Sequence, residues 1–128
     1  MVKSRSYKIY VAGHQGMVGS AVCRALENKG YSNFLGRTSK ELDLRNQKAV
    51  NSFIKSEKPD IIINAAAVVG GILANNENPY RFLMENLQIQ NNLIHTAFKS
   101  KVKKFIFLAS SCVYPKFAAQ PIKEEYLL

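Results

Sequence analysis

The sequence contains only two cysteines, Cys23 and Cys112, among its 128 residues. Two cysteines are too few for a disulfide framework, and they stand at no metal-ligand spacing from each other or from the two histidines. No apolar run approaches the roughly 18 residues that indicate a membrane span, and the apolar stretch 9–12 is too short for a signal-peptide core. We therefore predict a soluble, cytoplasmic protein with no metal site and no membrane partner.

Acidic residues are also scarce, with 9 Asp and Glu against 18 Lys and Arg, and the formal net charge is +9. Basic surfaces attract nucleic-acid backbones. Here the basic residues are scattered, with Lys3, Arg5 and Lys8 near the start and a second group between 99 and 104, and they form no stripe interleaved with aromatic residues. We predict no nucleic-acid partner, since a positive domain also suits an anionic dinucleotide and a nucleotide-sugar.

Short apolar runs alternate with helical periodicities along the chain, and its length suffices for one domain, 1–128, with its own hydrophobic core. The predicted strands cover 8–12, 33–36, 60–64 and 104–109, the last two as buried strands. The predicted helices cover 17–29, a segment from 43–46 to 58–59, and 79–100. Strands that alternate with helices pair in parallel through right-handed crossovers, so we predict an open, doubly wound α/β sheet. The stretch 112–128 is predicted to leave the sheet as a loop.

The motif with the clearest chemistry is a glycine-rich turn, directly after the first strand and at the start of the first helix. Its residues are Gly13, His14, Gln15, Gly16, Met17, Val18 and Gly19. Gly13 permits a tight turn, Gly16 lets the backbone approach a pyrophosphate, and Gly19 allows the helix to pack closely on the strand. The helix N-terminus offers unpaired N–H groups to the phosphates. This predicts a dinucleotide site; the alternative is a turn that serves packing alone.

The end of the second strand bears on the choice of cofactor. An acidic residue there would bind a ribose 2′-hydroxyl, whereas this chain has Arg37, with Lys40 close behind. Arginine grips a phosphate through paired charge-assisted hydrogen bonds, which favours NADP(H). Asp43 and Leu44 stand where folds of this kind commonly receive the adenine; the alternative role for Asp43 is to cap the next helix.

Two further segments are expected at the same edge of the sheet, where open α/β sheets bind their ligands. The small residues Ala65 and Ala66 follow the strand at 60–64 and either let a cofactor lie close to the backbone or simply provide packing space. The last strand leads into Leu108, Ala109, Ser110, Ser111 and Cys112. Ser110 could polarise a substrate carbonyl, and the thiol of Cys112 could exchange a proton with the adjacent carbon; a buried, inert cysteine is the alternative.

Three segments together resemble GDP-L-fucose synthases, a family of extended short-chain dehydrogenases/reductases. They are the turn Ala12–Ser20, the stretch Ala65–Ile72 with Ala74-Asn75-Asn76, and Ser110–Lys116 with Gln120–Glu124. The resemblance implies a Rossmann-like fold and an NADP(H)-dependent enzyme that epimerises C3 and C5 of GDP-4-keto-6-deoxy-mannose and then reduces C4. It also implies that Ser110 binds the carbonyl region, that Cys112 is an acid/base in epimerisation, and that cofactor contacts come from Gly13–Gly19 and Leu108–Ser111.

Family members are usually homodimers that associate through helices, including the long one predicted at 79–100, so the resemblance implies a homodimer. The apolar residues of this helix are more numerous than one core contact requires; the alternative is a helix buried on all sides. They are Phe82, Leu83, Leu87, Leu93, Ile94 and Phe98.

The chain departs from the family pattern in two ways. Gln15 stands where the family usually has arginine, and Ser39 where it often has a second basic residue, which leaves Arg37 and Lys40 to support a preference for NADP. The catalytic Tyr-x-x-x-Lys pair is absent, since no tyrosine is followed by lysine four positions later. By resemblance, that pair and the substrate domain fall beyond Leu128, so we expect an incomplete domain that is inactive alone.

Two questions stay open at the level of sequence. The substrate of the parent enzyme could be another GDP-linked keto-sugar, such as a heptose or a colitose precursor. The chain could also be a non-catalytic module that holds a nucleotide or packs against a partner.

Overall fold

The computed structural model describes residues 6–127, so Lys3 and Arg5 lie outside the described part of the chain. The elements in chain order are β1 (Ile9–Ala12), α1 (Met17–Asn28), β2 (Phe34–Leu35), α2 (Gln47–Glu57), β3 (Ile61–Asn64), α3 (Ile72–Glu77), α4 (Pro79–Lys99) and β4 (Lys104–Phe107). The predicted alternation of strands and helices is confirmed. The short helix α3 was not among the predicted elements.

The four strands form one parallel sheet in the order β2-β1-β3-β4. The chain moves outward from β1 to β2 and then returns to place β3 on the other side of β1. This reversal makes the gap between β1 and β3 the switch point, outside whose carboxyl ends open α/β sheets bind ligands. The fold is the predicted doubly wound, Rossmann-like α/β sheet.

Side chains alternate between the two faces of the sheet and so build two separate cores. On one face, Tyr10 and Ile62 pack with the inner sides of α2 and α4. On the other face, Val11 and Ile63 pack against α1. The central strand β1 is buried along its whole length, because its neighbours cover both edges and the helices cover both faces.

Two predictions about these elements were wrong. The strand at 104–109 was expected to be buried, yet β4 ends at Phe107, which is 46% exposed, because no strand within residues 6–127 lies beyond it. The second helix was expected to open between Asp43 and Asn46, but it begins at Gln47. Asn46 is its N-cap, and its side-chain oxygen accepts a hydrogen bond from the backbone N–H of Ala49 at 3.0 Å. This hydrogen bond stabilises an extended backbone at Asn46, so the helix begins at the next residue.

After β4 the chain leaves the sheet, as predicted, but it is not wholly irregular. Two single 3-10 turns lie at Ser111–Val113 and Glu124–Tyr126. No helix among residues 6–127 combines the length and the apolar character required to cross a bilayer.

Candidate functional site: a trough at the carboxyl edge of the sheet

The glycine-rich turn is held tightly between helix α1 and the loop after β3. Gly13 has φ +77°, and a β-carbon there would lie 2.7 Å from the carbonyl oxygen of Ala65. A β-carbon on Gly19 would lie 2.0 Å from the carbonyl oxygen of Gly13. Both positions therefore require glycine for the close approach of backbone to backbone, at the switch point between β1 and β3.

Gly16 differs from its two neighbours, because a β-carbon there would meet nothing closer than Gly13 O at 3.3 Å. Gly16 is the N-cap of α1, without a side-chain cap and without an acidic residue in the first turn. The first backbone hydrogen bond of the helix is donated by the N–H of Ser20 to the carbonyl oxygen of Gly16 at 2.9 Å. The N–H groups of Met17 and Val18 thus remain available to an anion at the positive end of the helix.

A cavity of about 440 Å³ opens in front of this turn. It brings together the turn, the end of β2 and the loop after β3. Nine of the residues predicted to bind cofactor line it: Gly13, His14, Gln15, Gly16, Arg37, Asp43, Leu44, Ala65 and Ala66. The cavity extends along these three neighbouring segments and has both polar and apolar walls. Such a cavity suits one nucleotide of a dinucleotide.

Arg37 reaches this cavity, but its guanidinium already has partners. It donates to Glu57 Oε1 at 3.2 Å and to the carbonyl of Gly36 at 2.9 Å, and it lies over the ring of Phe53. Glu57 also accepts Lys8 Nζ at 2.6 Å, and this hydrogen bond, with the charges of Lys8 and Arg37, lowers the pKa of Glu57. The ionised carboxylate of Glu57 therefore orients Arg37, and a 2′-phosphate would share the guanidinium with that carboxylate.

The other residues considered for a 2′-phosphate divide between lining and non-lining positions. Ser39 and Gln15 line the cavity, whereas Lys40 is exposed outside it. Among the residues considered for the 2′-phosphate, Arg37 is therefore the one with a positive charge that lines the cavity.

The side chain of His14 packs against the end of β2. A β-carbon on Gly36 would lie 2.1 Å from His14 Cγ, so glycine at this position makes room for the imidazole. The Nδ1 atom of His14 is buried and has no hydrogen-bond partner within residues 6–127. This role of Gly36 has no signal in the sequence, because a glycine at a strand end commonly only stops the strand.

Asp43 lines the cavity and does not cap α2, so the capping alternative was wrong. It accepts hydrogen bonds from the backbone and guanidinium of Arg45, all at 2.9 Å, and these bonds lower its pKa. Arg45 also pairs with Glu85 on α4 at 3.2 Å, and Asn92 donates to the carbonyl of Leu44 at 2.9 Å. Helix α4 therefore fixes the loop that forms this end of the cavity.

A second cavity of about 340 Å³ shares the wall formed by Ala65, Ala66 and Ala67 with the first, so the two form one trough along the edge. Val18, Leu108, Ala109 and Ser110 line it. Asn86 on α4 holds the shared wall in place: its side chain donates to Val68 O at 2.9 Å and accepts Val68 N at 2.8 Å. Sequence spacing gave no signal for this clamp.

Ser110 lies at the far end of this trough, and Cys112 follows it on the adjoining 3-10 turn. Ser110 Oγ accepts the backbone N–H of Cys112 at 3.1 Å and so caps the 3-10 turn that carries the cysteine. Cys112 is exposed, not buried, which contradicts the alternative of a buried cysteine. Cys112 and Ser111 do not themselves line either cavity; neither do Met17, which is exposed, and Gly19, which is buried within α1 where the helix packs against the turn.

No three His, Cys, Asp or Glu side chains in the described part of the chain cluster in a way that could hold a metal ion.

Comparison with known proteins adds to this geometry. Residues 9–128 match the profile of the NAD dependent epimerase/dehydratase family. The chain is 56% identical over 124 residues to a putative GDP-L-fucose synthase 2 of Arabidopsis thaliana, covering 97% of this chain and 38% of that protein. It is 48% identical over 121 residues to the GDP-L-fucose synthase of Escherichia coli, covering 94% of this chain and 38% of that protein.

A solved structure of similar fold is the GDP-mannoheptose C4 reductase from Campylobacter jejuni with NADP bound. It matches with a TM-score of 0.90 and 45% identity, over 96% of this chain and 39% of that one. The chain thus spans less than two fifths of the length of the relatives that it matches.

Proposed function

Because the chain belongs to the NAD dependent epimerase/dehydratase family, we propose that it supplies the cofactor-binding part of an NADP(H)-dependent nucleotide-sugar epimerase/reductase. The proposed substrate is GDP-4-keto-6-deoxy-mannose or a related GDP-linked keto-sugar. The observation that carries this proposal is the continuous trough that runs from the helix α1 N-terminus, along the alanine wall, to Ser110. Relatives named for GDP-sugar synthesis or reduction, one of them with NADP bound, support it.

The first cavity, together with the helix N-terminus beside it, fits a dinucleotide phosphate. The N–H groups of Met17 and Val18, at the uncapped start of α1, would hold the pyrophosphate. The loop at Asp43 and Leu44 would receive the adenine, and Arg37 would contact the 2′-phosphate. When bound, NADPH supplies the hydride for reduction.

Ser110 and Cys112 are proposed to act on the sugar. A ketone at C4 acidifies the C–H bonds at C3 and C5, so a single carbonyl can serve both epimerisation and reduction. The Ser110 hydroxyl would donate a hydrogen bond to that carbonyl and stabilise the enolate that forms. The thiol of Cys112, exposed on its 3-10 turn, would exchange the proton at carbon.

The identity of the sugar stays open among GDP-linked keto-sugars. The chain is 41% identical over 121 residues to a GDP-L-colitose synthase of Yersinia pseudotuberculosis and 45% identical to the heptose reductase. The relatives named as GDP-L-fucose synthases in E. coli and A. thaliana reach 48% and 56%, so substantial identity extends to relatives named for more than one sugar.

A non-catalytic nucleotide-binding module is the second candidate for these 128 residues by themselves. It is favoured by one observation, the absence of any tyrosine followed by lysine four positions later. We expect the isolated chain to bind NADPH without reducing a keto-sugar.

We further propose that the enzyme is a cytoplasmic homodimer that associates through α4. Leu83, Ile94 and Phe98 lie along one side of that helix and are 61%, 47% and 80% exposed. Sedimentation equilibrium of the chain and of its Leu83→Glu and Phe98→Glu variants tests this assembly; a monomer at all concentrations would contradict it.

Cofactor binding is tested by titrating the chain with NADPH and following nicotinamide fluorescence. Saturable binding that inorganic pyrophosphate competes away is the expected result. Absence of saturable binding would remove the proposal for this chain.

The role of Cys112 is tested in a chimera in which this chain replaces the matching residues of the E. coli GDP-L-fucose synthase. Solvent deuterium entering C3 and C5 reports epimerisation, and NADPH consumption with an already epimerised keto-sugar reports reduction. Cys112→Ser should lower deuterium entry by about 10²-fold or more, the usual size of a lost acid/base group, and leave reduction nearly unchanged. Equal losses in both would contradict the role, and Cys23→Ser is the matched control.

A further inference from the structure

A third cleft lies at the opposite edge of the sheet, away from the trough, where α2 and α4 end and β3 and β4 begin. Its volume is about 350 Å³. Its floor is apolar, with Ile54 and Pro59 buried and Val102 half-buried. Its rim carries five lysines: Lys55, Lys58, Lys99, Lys101 and Lys103.

The positive charge of this cleft is largely unbalanced. Asp60 is its one acidic lining residue, and that carboxylate already accepts Lys103 Nζ at 2.7 Å and the backbone N–H of Lys8 at 2.9 Å. Within residues 6–127, the other four lysines of the rim form no salt bridge. Like charges gathered at one cleft repel each other, so an anion with several charges would bind there favourably.

Two of these lysines stand at backbone positions that favour glycine. Lys58 and Lys101 have φ of +48° and +55°, directly after α2 and shortly after α4. A side chain in this left-handed region is disfavoured, and glycine is the usual residue where a helix ends this way. Lysine at both positions places two charges at the rim in spite of that preference.

Ser100 adds an independent observation. It lines the cleft, and its Oγ is buried without a hydrogen-bond partner in the described part of the chain. Buried hydroxyls almost always have a partner, so an unpaired one beside a cationic cleft is free to turn toward a ligand oxygen that enters the cleft.

We propose that this lysine cleft binds a small anion of linked phosphate groups. Lys58, Lys101 and the other unpaired lysines would neutralise the phosphates, and the Ser100 hydroxyl would donate to a phosphate oxygen. The site is separate from the trough, and this proposal does not depend on the proposed function. A free inorganic polyphosphate and the phosphate chain of a nucleotide share the required chemistry.

The test is an NMR titration of the isotope-labelled chain with inorganic tripolyphosphate, which resolves the two edges of the sheet. The expected result is saturable shifts of the amides at 58 and 100–103, with an affinity distinct from any shifts at the glycine turn. Shifts confined to the glycine turn would overturn the proposal. A parallel titration with a nucleoside triphosphate distinguishes a nucleotide from free polyphosphate as the ligand. If the nucleoside triphosphate binds more tightly than tripolyphosphate, the apolar floor contacts the nucleoside. If the two bind equally, the site recognises the phosphates alone.

Variants make the test independent of folding. The double variant Lys58→Gly and Lys101→Gly removes two charges while relieving the left-handed backbone, so it should stay folded and bind tripolyphosphate about fivefold or more weakly. The control Lys29→Ala with Lys48→Ala removes the same charge from outside the cleft and should bind like the parent. If tripolyphosphate binds equally weakly to both double variants, only net charge matters, and the proposed site would be overturned.

Ser100→Ala supplies the final check. Because the hydroxyl lacks a partner, its removal should leave thermal stability unchanged or higher while weakening the binding of tripolyphosphate. Unchanged binding in this variant would remove Ser100 from the site.

Discussion

Replacing three glycines one at a time by alanine is expected to affect cofactor binding at one position, folding at another and neither at the third. At Gly19 the new β-carbon would lie 2.0 Å from a backbone oxygen, which cannot move aside. At Gly16 the nearest atom is 3.3 Å away, and at Gly71 there is none within 4 Å. Gly16→Ala is therefore predicted to damage binding, Gly19→Ala to damage the fold, and Gly71→Ala to damage neither.

The magnitudes follow from these distances. Overpacking costs about 1–3 kcal/mol, and the upper end applies here because the contacted atom is backbone; the better helix propensity of alanine returns about 1 kcal/mol. Gly19→Ala should therefore lose about 2 kcal/mol and lower Tm by several degrees. For Gly16→Ala the backbone has φ −70° and ψ 168°, which any residue adopts, so the fold loses about 1 kcal/mol or less. A methyl group there would hold the pyrophosphate away from the helix amides, and charge-assisted hydrogen bonds worth about 1.5–3 kcal/mol correspond to a 10- to 100-fold loss of NADPH affinity.

The assay is thermal unfolding by circular dichroism together with NADPH fluorescence titration, on the parent and the three variants. Gly16→Ala that binds NADPH as tightly as the parent would refute the assignment of the turn to phosphate binding. A Gly19→Ala variant with the same Tm as the parent chain would refute the packing explanation.

Two further predictions concern charged side chains. Arg37→Met should weaken NADPH binding about tenfold and leave NADH binding unchanged, whereas the matched Lys40→Met, outside the cavity, should alter neither; equal effects of both on NADPH would contradict the role of Arg37. The hydrogen bond from Lys103, followed by that from the Lys8 amide, lowers the pKa of Asp60, so its contribution to stability is complete above the unfolded pKa of about 4 and is lost as the pH falls through the lower folded pKa. Urea unfolding between neutral pH and about pH 3 should therefore show a steeper loss for the parent than for Asp60→Asn, and identical slopes would contradict it.

Local sequence signals sufficed for the order of elements and the position of the glycine turn. The apolar run at 60–64 and the glycines at 13, 16 and 19 combine period, propensity and turn chemistry in a few residues, so they need no knowledge of distant contacts. The expected burial of β4 failed because burial depends on what lies beside a strand, and a run such as Phe105-Ile106-Phe107 looks the same at a sheet edge and at its centre.

The site could be predicted only where it depends on backbone position. Arg37 was located correctly at the end of β2, yet its pairing with Glu57 joins residues 20 positions apart, and no local pattern signals that contact. The Asn86 clamp on Val68 spans 18 positions in the same way. Such long-range side-chain contacts decide how a cation or a loop is presented to a ligand, and they emerge only when the elements are packed.

If NADPH binds as proposed, one ligand lies along the whole carboxyl edge, from the amides at the start of α1 to Ser110. An amide NMR titration of the chain with NADPH measures this directly. The amides of residues 13–19, 65–67 and 108–110 are expected to shift together with one dissociation constant. Shifts limited to a single one of these segments, or located at the lysine cleft, would contradict it.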